Sequence, residues 1–358
     1  MTNPRIKLFI PGPTEVPDAI LQAGAKPMIG HRSADYQELH ARVVPKLKKI
    51  LYTEQDVFLF TSSGSGVWEA AARNCVARRV LCCMCGAFSD KWEAVFRANG
   101  KETGKIQAEW GRAIDPSAVD RELATGAYDA VAFTHNETST GVMNDLEAVA
   151  AVVKKYPGVL LLVDAVSSMA GVKIETDRLG IDLLLASSQK AFSVPPGLAV
   201  AAVSRRAMER AGTIPHRGFY FDLVEFAKSG EKNQTPTTPS IPQIYALDAM
   251  TDLILADGLE ENWARHKRMQ ALAHAWGARA GFELLAPNGR ESITLTVYRN
   301  TRGIDVGKLN GFLRGRGMVI GNGYGKLKDN TFRISHMGAI READLDVLFA
   351  AIDEYLAE

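Results

Sequence analysis

The sequence predicts an α/β fold in which a large, mostly parallel sheet with helices on both faces is followed by a smaller α+β C-terminal domain. Short apolar runs alternate with helix-like segments between about residues 33 and 211. This alternation is typical of parallel sheets covered on both faces. A proline-rich passage at residues 234–242 interrupts the pattern, and the chain after it mixes helix-like and strand-like segments without the same regularity. These observations predict two packed units.

The predicted strands of the first unit are short and apolar, as buried parallel strands are. In chain order they are Val57–Phe60, Val80–Met84, Ala130–Thr134, Val159–Val163, Leu183–Ala186 and Leu198–Val203. The helix-like segments between them include Val67–Ala77, Ser89–Asn99, Pro116–Ala124 and Asp145–Tyr156. Ligands in such sheets bind beyond the carboxyl ends of the strands. Functional residues are therefore expected at that edge.

The second unit is predicted to begin with one long helix, roughly residues 243–279, that follows the proline-rich passage. Its later segments read as strand, helix, two short strands and a closing helix. They are Ser292–Tyr298, Val306–Arg316, Met318–Ile320, Thr331–Ser335 and Arg341–Leu356. We therefore expect an N-terminal arm with a large domain at residues 1–242, and a linking helix with a small domain at residues 243–358.

Composition excludes several classes of protein. The 358 residues are 46% hydrophobic and 23% charged, with a formal net charge of +1. A near-neutral chain lacks the excess of positive charge that is typical of proteins that bind nucleic acid or anionic lipid. No apolar stretch approaches the roughly 20 residues needed to span a bilayer, and the N-terminus does not resemble a secretory signal. We expect a cytoplasmic protein that binds neither nucleic acid nor membrane.

The four cysteines are Cys75, Cys82, Cys83 and Cys85. Three of them lie in one apolar run, where neighbouring side chains of a strand face opposite ways. No matching Cys or Cys/His pair occurs at zinc spacing elsewhere. We interpret them as small buried hydrophobic residues and expect no metal site.

Lys190 and Asp164 are the most informative residues. Each follows a buried apolar run, so an amine and a carboxylate are delivered to the same edge of the sheet. This pair is what pyridoxal phosphate needs, because a lysine binds its aldehyde and an acid keeps the pyridine nitrogen protonated. A surface lysine and a strand-end aspartate are the ordinary alternative, so the hypothesis depends on the rest of the set.

Three more segments fall at the same edge. Ser62–Gly66 opens a helix after the first strand, and such glycine-rich helix starts bind phosphate through free N–H groups. Phe88 follows the next strand, where an aromatic ring could stack on a flat cofactor or pack in the core. His135–Gly141 supplies hydroxyls suited to a phenolate oxygen on the cofactor, although helix capping is a competing use.

Arg333 lies mid-strand between apolar neighbours. Its guanidinium can bind a substrate carboxylate through two parallel hydrogen bonds, or it can form an internal ion pair.

Together these motifs resemble those of the class V pyridoxal-phosphate aminotransferases of fold type I, close to the alanine–glyoxylate and serine–glyoxylate group. The matching segments occur in the family's order and span nearly the whole chain. They are Pro11–Thr14, Ser63–Gly66, Glu137–Gly141, Val163–Ser168, Ser188–Ala191 and Phe332–Ile334.

The resemblance implies a role for each matching residue. Lys190 binds the cofactor aldehyde and moves the substrate proton, while Asp164 pairs with the ring nitrogen. Val166 and Phe88 cover the two ring faces, and Thr138 bonds the ring hydroxyl. The phosphate is expected on Ser65, Gly66 and Gln189, and on Thr238 reaching across the interface of a homodimer. Val67 is expected among the other cofactor-binding residues. Gly12 and Arg333 are expected to contact substrate.

The resemblance also implies a transamination by a ping-pong mechanism. We expect serine or alanine as donor and glyoxylate or pyruvate as acceptor. The chain departs from the alanine–glyoxylate pattern at Val67, often His there, and at Thr235, where some relatives have Tyr. The alternative is phosphoserine with 2-oxoglutarate, because His31 and Arg32 match a His-Arg pair that holds a substrate phosphate in phosphoserine aminotransferases. Relatives whose substrate is unphosphorylated serine can also carry such a pair.

Two other functions exist for such a fold. Cysteine desulfuration needs a nucleophilic cysteine in the second unit, and no cysteine follows Lys190. A non-catalytic subunit of a regulatory or redox complex is the other possibility. The set of Lys190, Asp164 and Arg333 argues against it, because such a subunit needs no carboxylate clamp. The glycine-rich segment Gly321–Gly325 is interpreted as a turn that could close over substrate.

Overall fold

The computed structural model describes residues 5–357, and its regular elements are numbered here in chain order. The strands are β1 (Lys7–Phe9), β2 (Asp56–Phe60), β3 (Arg79–Met84), β4 (Glu102–Gln107), β5 (Ala130–Thr134), β6 (Asn136–Glu137), β7 (Val142–Met143), β8 (Leu160–Asp164), β9 (Leu183–Ser187), β10 (Ala199–Val203), β11 (Glu283–Leu284), β12 (Leu295–Arg299), β13 (Met318–Asn322) and β14 (Thr331–Ser335). The helices are α1 (Asp18–Gly24), α2 (Ala34–Leu51), α3 (Gly64–Cys75), α4 (Ala87–Ala98), α5 (Pro116–Leu123), α6 (Leu146–Val153), α7 (Thr176–Leu179), α8 (Arg205–Thr213), α9 (Leu223–Gly230), α10 (Ile241–Asp257), α11 (Leu259–Ala280), α12 (Val306–Gly315) and α13 (Glu342–Ala357).

The large sheet has seven strands in the order β2-β10-β9-β8-β5-β3-β4. Strands β9, β8, β5, β3 and β4 are parallel to one another, while β10 is antiparallel to both β2 and β9. The predicted α/β sheet is therefore confirmed. Because β2 and the parallel strands all run in one direction, their carboxyl ends meet at one edge, which is where the candidate site residues lie.

Alternation along the strands divides the core of the large sheet into two layers. In β8, Leu161 and Val163 belong to one hydrophobic cluster, while Leu160 and Leu162 belong to a second one. Cys83 and Cys82 divide between the same two clusters. All four thiols are buried, and burial raises the pKa of each of them.

The second sheet has five strands in the order β1-β13-β14-β12-β11. It has its own hydrophobic cluster, which includes Phe9, Trp276, Tyr298 and Phe332. Strand β1 lies parallel to β13, so the N-terminal arm contributes a strand to the sheet formed otherwise by the C-terminal part of the chain. The domain boundary between residues 242 and 243 stays a prediction.

The six predicted strands of the large sheet are confirmed to within one residue at each end. Strand β4 was not predicted, because its sequence Glu102–Gln107 is polar, as edge strands often are. The long linking helix was predicted wrongly as one element. It is two helices, α10 and α11, that meet at Gly258, where a φ of 87° ends helical geometry. Within residues 5–357, none of the helices has the length and apolarity that crossing a bilayer requires.

Candidate active site

Side chains from five strand ends surround one cavity of about 290 Å³ at the carboxyl edge of the large sheet. Its lining residues are Gly12, Ser63, Gly64, Ser65, Trp68, Phe88, Asn136, Thr138, Asp164, Val166, Ser167, Gln189, Lys190 and Tyr324. Eight of these were expected from the sequence: Gly12, Ser65, Phe88, Thr138, Asp164, Val166, Gln189 and Lys190. The fold thus brings together residues that are 178 positions apart, from Gly12 to Lys190.

Lys190 follows β9 and points its amine into the cavity. Its Nζ donates to the main-chain oxygen of Pro11, while Thr14 Oγ1 donates to the main-chain oxygen of Lys190 at 2.8 Å. Burial and, to a smaller extent, the positive charge of Arg333 lower the pKa of the amine to about 8, although the negative charge of Asp164 opposes both effects. A partly neutral amine near pH 8 can act as nucleophile or base.

Asp164 ends β8 and is 4% exposed. Its Oδ1 accepts from the backbone N–H of Val166 at 2.8 Å, and its Oδ2 accepts from Nε1 of Trp68 at 3.0 Å. Burial raises the pKa of this carboxyl to about 6, while both hydrogen bonds act in the opposite direction. No ion pair reaches this carboxylate from any residue between 5 and 357.

The start of α3 forms a concave surface with exposed backbone. Its first residues, Gly64 and Ser65, line the cavity, and the first turn of a helix carries N–H groups without partners in the helix. A β-carbon at Gly64 would lie 2.7 Å from Val166 Cγ2, and one at Gly66 would lie 2.6 Å from Ser62 Oγ. Only glycine fits these two positions, as the close approach of an anion to the backbone requires.

A hydroxyl and amide network forms the wall next to Asp164. Thr138 Oγ1 donates to Ser167 Oγ at 2.8 Å, and Ser167 Oγ donates to the main-chain oxygen of Asn136 at 2.9 Å. The amide nitrogen of Asn136 donates to Ser167 and to Thr294. The amide oxygen of Asn136 is buried and has no hydrogen-bond partner among residues 5–357. A buried oxygen of this kind is available to a donor on a ligand.

Two aromatic rings close one side of the cavity. Phe88 stacks on Tyr324 with ring centroids 5.2 Å apart and an interplanar angle of 24°. The carboxylate of Glu137 holds the chain at Phe88, because it accepts from the backbone N–H groups of Phe88 and Ser89 at 3.2 and 2.9 Å. Glu137 is completely buried. The Glu137 carboxylate also lies at the N-terminus of α4, where a negative charge is favoured by the helix dipole.

Arg333, 9% exposed, does not line the cavity itself but lies against the ring of Tyr324, which does. Its Nε donates to the main-chain oxygen of Asn322 at 2.8 Å, and its Nη1 donates to the main-chain oxygen of Thr138 at 3.4 Å. The guanidinium carbon is 5.5 Å from the centroid of the Tyr324 ring. Burial lowers the pKa of Arg333 to about 10. None of these contacts uses Nη2, which leaves it for an anionic ligand.

Several predicted site residues do not line this cavity. Val67 is fully buried in the core beside α3, and Gly66 faces Ser62 and Phe221. Arg32 donates to the main-chain oxygens of Thr235 and Pro236 at 2.6 and 2.9 Å, so its guanidinium holds a loop. His31 and Thr238 are partly exposed outside the cavity. Their proposed contacts stay predictions.

The sequence did not single out Trp68, Asn136, Ser167 or Tyr324, although all four line the cavity. Trp68 looked like one more apolar residue of a helix. Its position one turn after Ser63–Gly64 was the only available signal. No group of three or more potential metal ligands occurs in residues 5–357.

Comparison with known proteins identifies the family. The family model described as aminotransferase class-V matches residues 8–343. An uncharacterised aminotransferase of Methanocaldococcus jannaschii is 38% identical over 98% of this chain and 92% of its own length. A protein named soluble hydrogenase 42 kDa subunit, from Anabaena cylindrica, is 34% identical over 99% of this chain and 94% of its own length.

Relatives with named activities cover the chain to the same extent. An L-aspartate–glyoxylate aminotransferase of Paracoccus denitrificans is 34% identical over 94% of this chain and 87% of its own length. A serine–glyoxylate aminotransferase of Methylorubrum extorquens is 32% identical over 95% of this chain and 88% of its own length.

The fold is also shared with a solved structure, that of an alanine–glyoxylate aminotransferase from Nostoc sp. It superposes with a TM-score of 0.94 and 27% identity, covering 99% of this chain and 96% of that one. The predicted fold class is thereby confirmed. The match to the family model, the identity to its members and the shared fold agree, and the chain belongs to the class-V aminotransferases.

Proposed function

We propose that this aminotransferase uses pyridoxal 5′-phosphate to move the amino group of a small amino acid, serine or alanine, to glyoxylate or pyruvate. The observation that carries the proposal is the convergence of Lys190, Asp164 and the helix start at Gly64–Ser65 on one cavity. Lys190 and Asp164 are proposed as catalytic, and the other lining residues as cofactor-binding or substrate-binding.

The residues present fit this cofactor in three respects. Asp164 is a buried carboxylate without a cationic partner in the described chain, which suits a protonated ring nitrogen. The glycine-lined start of α3 suits a phosphate. The unpartnered oxygen of Asn136 and the hydroxyl of Thr138 suit the polar edge of a ring. Gln189, Val166 and Phe88 complete the enclosure.

When bound, pyridoxal phosphate supplies an electron-poor ring that accepts the electron pair left after a proton leaves the substrate Cα. Lys190 takes that proton in its neutral form, which the lowered pKa of about 8 makes accessible near neutral pH. Asp164, as a carboxylate, keeps a proton on the ring nitrogen. Arg333 is proposed to orient the substrate carboxylate, because its Nη2 makes no hydrogen bond in the described chain and its guanidinium lies beside the ring of Tyr324, which lines the cavity.

The size of the cavity supports a small donor. The cavity of about 290 Å³ has to hold the cofactor as well as the substrate, and the stacked rings of Phe88 and Tyr324 limit it on one side. Glyoxylate is the acceptor in the names of the relatives from Paracoccus and Methylorubrum. Their donors differ, so aspartate belongs in a donor screen beside serine and alanine.

The alternative donor, phosphoserine, receives less support. It was predicted from His31 and Arg32, but the guanidinium of Arg32 is engaged with the main-chain oxygens of Thr235 and Pro236. A substrate phosphate would have to compete with these bonds. Arg32→Ala should therefore disturb the loop at residues 234–236 rather than abolish turnover of phosphoserine selectively.

A role as a subunit of a redox complex is the rival raised by the name of the Anabaena relative. Such a role does not require a lysine of lowered pKa or a partly unpaired buried arginine. The presence of both in Lys190 and Arg333 favours catalysis.

We further propose a cytoplasmic homodimer with active sites near the interface. Thr238 does not line the cavity of its own chain, which is consistent with a contact to the phosphate of a second copy. Phe219 lies between α8 and α9 and is 85% exposed, as a residue covered by a partner would be. A mass measured by light scattering at the monomer value, with activity retained, would contradict this assembly.

The function is tested with purified protein loaded with pyridoxal phosphate. Serine or alanine should shift the absorption band of the bound cofactor to that of its amine form, and glyoxylate should restore it. Initial rates at several concentrations of both substrates should give parallel double-reciprocal lines. Lys190→Ala should abolish turnover, and Asp164→Asn should lower kcat by about 10²- to 10³-fold. An unchanged spectrum with every amino acid tried would count against catalysis.

A further inference from the structure

We propose that Trp68 is a positioning residue whose indole N–H holds Asp164 as a carboxylate directed into the cavity. This inference deepens the proposed function and rests on it where it concerns the cofactor. The contact itself, between Trp68 Nε1 and Asp164 Oδ2 at 3.0 Å, belongs to the protein alone.

Both hydrogen bonds to Asp164 come from groups that can only donate. The indole N–H of Trp68 binds Oδ2, and the backbone N–H of Val166 binds Oδ1. Neither group can accept a hydrogen bond from a protonated acid. Donor-only partners on both oxygens therefore favour the ionised form of Asp164 over the neutral one.

Helix α3 fixes the position of this donor relative to Gly64 and Ser65, the residues proposed to bind the phosphate. Gly64, Ser65 and Trp68 all line the cavity, and residues four apart lie on the same face of a helix. Trp68 is 5% exposed and its ring stacks on Trp92, with centroids 6.1 Å apart and an interplanar angle of 20°. One rigid helix thus carries the anion-binding backbone at its first turn and the donor to Asp164 one turn later.

The charges around Asp164 do not make this donor redundant. Burial raises the pKa of the acid, and the negative charge of Glu137 on β6 raises it further. The positive charge of Lys190, which follows β9, lowers it by less than the hydrogen bonds from Val166 and Trp68 do. A carboxylate in this position therefore depends on the two N–H groups.

The chain offers a matched control for the loss of one indole N–H. Trp92 is also buried, at 1% exposure, and its Nε1 has no hydrogen-bond partner among the described residues. Trp68→Phe removes an indole N–H that is bonded to Asp164. Trp92→Phe removes one that is bonded to nothing, while both variants retain an aromatic ring in the core.

The first experiment uses the protein without cofactor. The chain has five tryptophans, so labelling with 5-fluorotryptophan gives five fluorine resonances that Trp→Phe variants assign. The Trp68 resonance should shift with pH around a midpoint near 6, where Asp164 titrates, and Asp164→Asn should abolish this shift. A Trp68 resonance with the same pH dependence in wild type and Asp164→Asn would overturn the proposal. This comparison does not need the Trp68 variant to fold, because variants of the other four tryptophans assign the Trp68 resonance by elimination.

The second experiment measures the affinity of the apo protein for pyridoxal phosphate between pH 6 and 9. Trp68→Phe should bind about fivefold more weakly than wild type at pH 6, as expected if the pKa of Asp164 rises by about one unit from a value near 6. The difference should vanish by pH 9, and Trp92→Phe should match wild type throughout. Binding of 1-deazapyridoxal phosphate, which lacks the ring nitrogen, should be equal in all three proteins.

The two experiments distinguish failure of the proposed Trp68–Asp164 contact from failure of cofactor binding. Equal weakening of both cofactors in Trp68→Phe, or equal behaviour of the two Trp→Phe variants, would overturn the positioning role. Failure of the wild-type protein to bind pyridoxal phosphate at any pH would refute the proposed function instead. In that case the fluorine titration still decides whether Trp68 holds Asp164.

Discussion

A β-carbon at Gly12 would lie 2.5 Å from Nζ of Lys190, which is closer than two such atoms can approach. Gly12 also has a φ of 131°, which side-chain-bearing residues rarely adopt. The N-terminal segment therefore passes over the amine at a distance that only glycine permits. The same segment accepts the amine's hydrogen bond at Pro11 and bonds the chain beside Lys190 through Thr14.

Gly12→Ala should displace the amine and so impair its covalent use. The overlap with Lys190 and the unfavourable φ predict a loss of turnover of at least about tenfold, since strain of this kind costs about 1–3 kcal/mol. Borohydride reduction followed by peptide mapping measures how much cofactor is attached to Lys190. Gly212→Ala is the control, because its added methyl group meets no atom within 4 Å. Full labelling of Lys190 in Gly12→Ala would show that the contact is not required.

Glu137→Gln should destabilise the first turn of α4, which carries Phe88. The Glu137 carboxylate accepts from backbone N–H groups of Phe88, Ser89 and Ser139, and from both serine hydroxyls. An amide nitrogen in place of one oxygen would face donors and leave them unsatisfied. We expect a loss of about 2–4 kcal/mol in the free energy of unfolding, from two such groups.

Urea unfolding of the apo protein measures the effect of Glu137→Gln. The exposed Glu209 on α8, which pairs only with Arg205 at the surface, provides the control. Glu209→Gln should change the stability by less than about 0.5 kcal/mol. Equal stability of the two variants would mean that Glu137 does not stabilise the first turn of α4.

The residues that the sequence predicted well lie at the ends of buried strands. Asp164 and Lys190 could be placed because apolar runs of strand length precede them, and parallel strands share one carboxyl edge. Thr138 and Ser65 could be placed for the same reason. Local periodicity is sufficient for these positions, since the site follows directly from the sheet.

The residues that the sequence did not reveal depend on contacts between distant segments. Tyr324 lies on a glycine-rich loop, and its ring reaches the cavity only because the second sheet packs beside the first, against Phe88. Trp68 has the hydrophobicity of a core residue, so its single polar atom carries no pattern. Gly258 was missed because one glycine within apolar, helix-forming sequence does not by itself predict a break.

Tyr324→Ala should widen the range of amino donors. Its ring lines the cavity, stacks on Phe88 and lies 5.5 Å below the guanidinium carbon of Arg333. Removing the ring opens the side of the cavity that restricts the donor side chain. We expect the ratio of kcat/KM for leucine to that for alanine to rise by about 10- to 100-fold, the scale of a hydrophobic pocket contact.

Tyr324→Phe is the matched variant for this test. It keeps the stacked ring and loses only the hydroxyl that contacts Lys91. Its ratio of leucine to alanine turnover should stay close to that of wild type. If Tyr324→Ala and Tyr324→Phe showed the same ratio, the ring would not set the size of the donor.

The apo protein should lose stability as the pH falls from about 6 to 4.5, because three histidines are buried in neutral form. Burial lowers the pKa of His135 to about 4, and of His266 and His336 to about 3. The unfolded chain protonates each of them near pH 6.5. Below that value the unfolded state binds more protons than the folded state, so the free energy of unfolding falls with pH.

Asp164 acts in the opposite direction over the same range. Its pKa is raised to about 6, so the folded state gains its proton before the unfolded state does. Three histidines less one carboxyl leave a net contribution of two protons from these four groups, or about 2.7 kcal/mol for each pH unit. The pKa values of His40 and His274, lowered by burial, add to this difference, and the pKa of Asp182, raised by burial, opposes it. Urea unfolding at pH 6, 5.5, 5 and 4.5 measures this slope. His336→Asn should reduce this slope by the contribution of about one proton. The exposed His216 is the control, and His216→Asn should leave the slope unchanged. If His336→Asn did not change the slope, other groups would cause the loss of stability in acid.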